Sequence, residues 1–313
     1  MAFYLIKRLL STIPVMLVVA VFIFLLLRLT PGDPAAMIAG DYASEAQIAD
    51  IRAKLGLDEP LLVQFGIWIG NLFQGDLGES FFFKKQVSDL IAARIEPTIS
   101  LSLLTIVLTV AIAVPMGVIS AYKQGSWLDR IVMGFSVLGF SIPVFVIGFG
   151  LIYVFSLELG WFPVQGYKRL GDGVIGWLSH LILPAIALSV IFVAFIARMT
   201  RTSVLEVLGE DYIRTARAKG QTETRVLMRH ALRNAAVPII TVIGFALAIL
   251  IGGVVVTESV FNLPGLGLLT VDAVLNRDFP TIQAVVLLFS LFYVLINLLI
   301  DLSYTLLDPR IRY

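Results

Sequence analysis

Pro97–Tyr122 reads PTISLSLLTIVLTVAIAVPMGVISAY, 26 residues without an Asp, Glu, Lys or Arg. As a helix it would cover about 39 Å, more than the ~30 Å of a bilayer's hydrocarbon core. A barrel strand would be about ten residues of alternating polarity, and this run does not alternate. In lipid every backbone group must be satisfied within its own segment, so the run predicts a membrane-spanning helix. Working outward from it, five further charge-free runs appear: Leu9–Leu27 (19 residues), Ile131–Leu157 (27), Gly173–Ala197 (25), Asn234–Thr257 (24) and Phe279–Ile300 (22). Together they predict an all-α integral membrane protein with six transmembrane helices.

Composition agrees. Of 313 residues, 58% are hydrophobic and 14% charged, against about 45–50% and 25% in soluble domains. A mean hydropathy of +0.94 excludes disordered, collagenous and coiled-coil classes. With no cysteine there is no disulfide framework, thiolate metal site or Cys nucleophile. A net charge of +1 gives no global attraction to nucleic acid, so only the placement of the basic residues carries electrostatic information.

That placement is asymmetric. Alternate segments carrying Lys7, Arg8, Lys123, Arg130, Arg198–Arg233, Arg310 and Arg312 hold fourteen basic residues, and the intervening segments hold nine. The positive-inside rule then predicts both termini in the cytoplasm. The first run follows Lys7-Arg8 like a signal peptide, but it is too long and is followed by Arg28-Leu29-Thr30-Pro31, which reads as an uncleaved anchor. The chain divides into 1–29 (tail and first span), 30–96 (outer segment), 97–307 (five-helix core with a cytoplasmic loop at 198–235) and 308–313 (tail).

Thr30–Glu96 carries ten acidic and five basic residues. Helical spacing of Ile48, Ile51 and Leu55, the uncharged run Pro60–Gly75 and a stretch around Val87–Ile91 predict amphipathic or interfacial helices there. With Phe81-Phe82-Phe83, the segment reads either as a lid packed on the bundle or as a docking surface for an extracytoplasmic partner, with Asp41, Glu45 and Asp50 on the exposed side.

The inner loop is the other informative segment. Glu210 and Asp211 suit the positive end of a short helix, Lys219 its negative end, and Gly220 a left-handed cap. Tyr212, Ile213 and Ala216 form an apolar stripe that needs a protein surface to cover it. Arg225, Arg229 and Arg233 follow at i, i+4, i+8. These arginines serve either a coupling role or only the positive-inside bias with anionic lipid headgroups.

Chemistry of the chain's own is not legible. None of the six runs contains an Asp, Glu, Lys or Arg, His180 is the only histidine in a span, and no metalloprotease, phosphate-loop or serine-elbow motif occurs. Ser141 with His180 is the only conceivable nucleophile and base, and Gly139-Phe-Ser141-Ile-Pro143 reads better as a helix kink. A secondary carrier would show inverted repeats, and none is clear. The pattern points to a pathway energised by another subunit.

Gly209-Glu-Asp-Tyr-Ile-Arg-Thr-Ala-Arg-Ala-Lys-Gly220 followed by Arg229-His-Ala-Leu-Arg-Asn-Ala235 resembles the Glu-Ala-Ala loop of dipeptide and oligopeptide permeases, the membrane subunits of bacterial ATP-binding-cassette importers. Lys7-Arg8-Leu9, Thr30-Pro-Gly-Asp-Pro34, Leu55-Gly-Leu-Asp-Glu-Pro60, Gly75-Asp-Leu-Gly-Glu-Ser80, Glu258-Ser-Val-Phe-Asn-Leu-Pro-Gly-Leu-Gly267 and Asp308-Pro-Arg-Ile-Arg-Tyr313 extend the resemblance over essentially the whole chain. The Glu-Ala-Ala positions fall on Arg214, Thr215 and Ala216, and the usual following Pro on Arg233, a departure that the peptide branch shares.

The resemblance implies a type I importer-like bundle in the bacterial inner membrane, with a long outer segment marking the first of two paired permeases. Implied partners are a second permease, two cytoplasmic ATPases that bind the ATP, and an extracytoplasmic substrate-binding protein, besides membrane lipid and without nucleic acid. No cofactor, metal or catalytic residue of its own is implied. Coupling to the ATPase falls to Asp211, Tyr212, Ile213, Arg214, Thr215, Ala216, Arg217, Ala218, Lys219 and Gly220. Cargo stays open among dipeptides, longer peptides, glutathione, nickel complexes and opines, and substrate-binding residues are not identifiable.

Overall fold

The computed structural model describes residues 2–29, 35–36, 44–54 and 56–307. Thr30–Pro34, Asp41, Leu55 and the tail 308–313 lie outside them. Among the described residues the chain is helical, its one β contact an isolated antiparallel bridge of Glu79 with Gln86. Two compact units are formed, Met1–Ala93 with Thr270–Phe292, and Arg94–Leu269 with Tyr293–Tyr313.

In the first unit, α1 (Ala2–Leu29), α2 (Glu45–Lys54) and α3 (Leu61–Phe73) precede the start of α4 (Val87–Tyr122). The Pro60–Gly75 run is thus a helix, begun by Pro60 as the residue before its first turn. Its 13 residues cover about 20 Å, too short to span. Trp68, Ile69 and Leu72 of α3 pack on Ala20 and Ile23 of α1 and on Leu287 of α11 (Phe279–Leu307). The Phe24 ring meets Phe65 edge to face at 5.2 Å.

The Val87–Ile91 stretch is not a separate interfacial helix. It is the first turn of α4, whose 36 residues reach about 54 Å and carry Pro97 and Pro115 within them. Asp278, fully buried before α11, accepts hydrogen bonds from the Ser80 and Thr281 hydroxyls and from the Phe81 N–H. The triple-Phe turn is held there, with Phe82 half exposed.

The second unit is organised around α7 (Val174–Leu208). Leu181, Leu183, Ala185, Ala187, Leu188, Ile196 and Ala197 are buried around its whole circumference, the signature of a central helix. Close approach is set by small residues: a Cβ on Gly117 of α4 would fall 2.6 Å from the Ala197 carbonyl oxygen. α9 (Ala236–Phe261) and α10 (Leu266–Leu275) follow, and Val242, Ala246, Leu250 and Val254 of α9 join the same core.

The Ile131–Leu157 run is not one straight span. α5 (Trp127–Ser141) and α6 (Val144–Leu151), the latter continued by a π-helical turn at Ile152–Glu158, are bent by 101°. Ile142 is extended (φ −98°, ψ 120°), the conformation favoured for a residue preceding proline, and Pro143 has no N–H to continue the ladder. Four helices, α4, α7, α9 and α11, are long and apolar enough to cross a membrane among the described residues, and the bent α5–α6 pair makes a fifth.

Candidate functional site

The Arg198–Arg233 segment begins as helix. α7 runs on through Arg198 to Leu208, past the end of its charge-free run. Gly209 and an extended Glu210 turn the chain into α8 (Asp211–Ala218). Lys219 ends α8, and Gly220, at φ +73°, bonds its N–H to the Arg217 carbonyl while Gln221 N–H reaches back to Ala216. That pair of bonds is a Schellman cap, and the left-handed residue in it is the glycine the sequence predicts.

α8 is seated on its own chain. Ile213 is fully buried and Ala216 nearly so, packed on Val226 with Val207 and Leu208 at the end of α7. The stripe of Tyr212, Ile213 and Ala216 needs a protein surface, and the chain itself supplies part of it. Two of its three residues anchor the helix, because the turn after Gly220 brings Val226 back beneath them. Tyr212 alone stays outward, 43% exposed, and burial with the nearby Glu210 carboxylate pushes its phenol up, so it remains a neutral hydroxyl.

The outward face thus comprises Asp211, Tyr212, Arg214, Thr215, Arg217, Ala218, Lys219 and Gly220. Thr215 bonds back to the Asp211 carbonyl. The Asp211–Arg214 pair at 3.3 Å is too exposed to matter to stability. Arg217 forks onto Glu223 at 2.9 and 3.2 Å and closes the loop.

Arg225, Arg229 and Arg233 are exposed, but their i, i+4, i+8 spacing does not mark a continuous α-helical edge, since Val226–Ala231 is a π-helical turn. Val118 and Ala121 of α4, Val204 of α7 and Ala231, Ala235 and Ile239 form a small core beneath this region. The loop is thus fastened to three long helices.

Two further buried carboxylates, besides Asp278, escape a search for charge-free runs. Asp129, in the first turn of α5, accepts both arms of the Arg201 guanidinium (Nε 2.6 Å, Nη2 2.8 Å), the Ser120 hydroxyl and the Gly125 N–H. Glu258 lies inside α9, one residue beyond the charge-free run, and is fully buried. It accepts the Thr98 hydroxyl and the Leu268 N–H, while Thr98 receives the Leu266 N–H. The only sequence hint was its place at the head of the Glu258–Gly267 motif. A Cβ on Gly265 would fall 2.1 Å from a Glu258 oxygen, which accounts for that glycine.

The conceivable hydrolytic pair does not assemble as a relay. The Ser141 hydroxyl donates to the Val137 carbonyl, and His180 Nδ1 lies 2.7 Å from the Gly176 carbonyl.

Residues 113–313 match the family described as binding-protein-dependent transport system inner membrane component, and residues 1–102 match its N-terminal counterpart. The chain is 56% identical, over the full length of both, to a Sinorhizobium fredii protein whose name reads "Probable peptide ABC transporter permease protein". It is 47% identical, over 99% of both chains, to the glutathione transport system permease protein of Escherichia coli. Among solved structures, the MetNI methionine ABC transporter in an inward-facing conformation aligns with a TM-score of 0.58 at 20% identity, covering 70% of this chain and 96% of that one.

Proposed function

Because this chain belongs to the family of binding-protein-dependent transport system inner membrane components, we propose that it is the permease subunit of an ATP-driven peptide importer, lining half of the translocation path. The observation that carries the coupling role is α8: a short helix, anchored by Ile213 and Ala216 and capped by Gly220, that turns a mixed polar face with one aromatic residue to the outside. Such a face suits a groove on a cytoplasmic ATPase. Asp211–Gly220 is the contact, with Ile213 and Ala216 acting as its seat.

The complete topology has six spans, α1 being the first, with both termini in the cytoplasm of a bacterium and the chain in its inner membrane. Fourteen basic residues on the α8 side support this orientation. A second permease, two ATPases that bind and hydrolyse the ATP, and an extracytoplasmic binding protein complete the assembly, and this subunit needs no cofactor. The outer segment is where the binding protein docks.

Peptide cargo is supported by the 56% identical relative, and the 47% identical relative favours glutathione, itself a small peptide, as the second reading. A deletion strain of the source organism, offered a panel of labelled peptides and glutathione, tests both. Loss of peptide uptake that the wild-type copy restores and an uncoupler spares supports the proposal, and uptake abolished by the uncoupler would replace it with an ion-coupled carrier.

A further inference from the structure

The importer reading requires motion at α8 to reach the path, and the second unit holds one contact suited to carry it. α8 rests on Val207 and Leu208, so a displacement of α8 is delivered to the last turn of α7. Arg201 lies two turns earlier on the same uninterrupted helix, about 10 Å along its axis. There its guanidinium is held by both oxygens of Asp129, with the two side chains 20% and 6% exposed.

Asp129 belongs to the first turn of α5, the half of the broken span that ends at the 101° bend. Ser120 at the end of α4 and the Gly125 N–H hold the same carboxylate from the other side. One carboxylate therefore ties together α4, α5 and α7.

We infer that Asp129 and Arg201 are positioning residues for transport, the contact through which a displacement of α8 is passed from α7 to the broken span α5–α6. A forked pair suits that role better than an apolar contact. Two parallel charge-assisted bonds fix both distance and orientation, whereas methyl groups slide past one another. Stability alone is a poor reason for such a pair, since well-packed apolar residues of similar size stabilise as well or better. The pair also lies outside the α8 surface assigned to the ATPase, so its effect is separable from docking.

The inference rests on the importer reading, and the test separates the two. The whole importer, purified with its own ATPases, second permease and binding protein, is reconstituted into vesicles, and peptide transported per ATP hydrolysed is measured. Arg201→Lys keeps the charge and most of the stem but loses the fork. Ser120→Ala loosens the opposite side of Asp129 without unpairing a charge, so it folds even if the first variant does not.

Transport per ATP should fall about tenfold for Arg201→Lys, the factor one charge-assisted hydrogen bond carries, and by less for Ser120→Ala. An unchanged ratio in both variants overturns the inference. So does a proportional loss of transport and hydrolysis, which would mark a purely structural pair. A wild-type complex that moves no peptide instead overturns the importer reading.

Discussion

Replacing Gly220 separates backbone geometry from contact, because its surroundings are empty. Gly220 sits at φ +73°, and a Cβ built on it meets nothing within 4 Å. The cost of a side chain there is conformational alone: about 1–2 kcal/mol for an ordinary L residue in the left-handed region, more for a β-branched one, and less for Asn, which tolerates it. Since 1.4 kcal/mol is a factor of ten, Gly220→Ala reduces the capped population relative to its uncapped alternatives by about five- to thirty-fold. Transport should therefore rank wild type, Asn, Ala, Val, with Gly220→Val abolishing it while the protein still inserts. The assay is peptide uptake normalised to the amount of subunit in the membrane. Normal uptake by Gly220→Val would refute the coupling role, and an Asn variant as poor as Val would show that a side chain, not φ, is what the position rejects.

Glu258→Gln should lower the melting temperature of the detergent-solubilised complex by the equivalent of about 1–3 kcal/mol, because an amide has one acceptor oxygen where the buried carboxylate uses two; an unchanged melting temperature would refute that accounting. Gly265→Ala should be worse still, since its Cβ has no room beside the same carboxylate. Arg217→Gln should lower uptake about tenfold if Arg217 meets the ATPase as part of the Asp211–Gly220 contact, and a change of no more than about twofold would leave it only the half-exposed fork to Glu223. Reporter fusions should place Lys123 and Arg217 in the cytoplasm and Asp58, Lys168 and Arg277 outside; a cytoplasmic signal at Asp58 would mean that α1 does not cross.

The helices themselves were legible because a bilayer imposes one simple rule on composition. The charge-free runs after the first became α4, α5–α6, α7, α9 and α11, and Pro60–Gly75 became α3. The same rule hid Glu258: a run ends at its first charge, and that this carboxylate is buried depends on Thr98, 160 residues away in sequence. Asp129 lies just before the Ile131–Leu157 run and drew no reading from the sequence, because its partner Arg201 is 72 residues away. The short helix over Asp211–Ala218 and its glycine cap were readable from local propensity. What covers Ile213 and Ala216 was not, because an apolar stripe records the need for a surface without recording whose surface it is.

The bend between α5 and α6 has a consequence for biosynthesis. Each half is too short to cross ~30 Å alone, 15 residues in α5 and 8 in α6 with its 7-residue π continuation. On leaving the insertion machinery, only the two halves together supply enough apolar length to span. The bent form is braced by residues that do not yet exist at that moment: Gly148 of α6 lets Val260 and Phe261 of α9 approach so closely that a Cβ there would lie 3.2 Å from each. Those residues emerge more than a hundred positions later, about 5–20 s at ordinary rates of synthesis. The break is set locally at Ile142–Pro143, but its packing is completed only once α9 has arrived, and until then the nascent permease carries a segment committed to the membrane without its final neighbours.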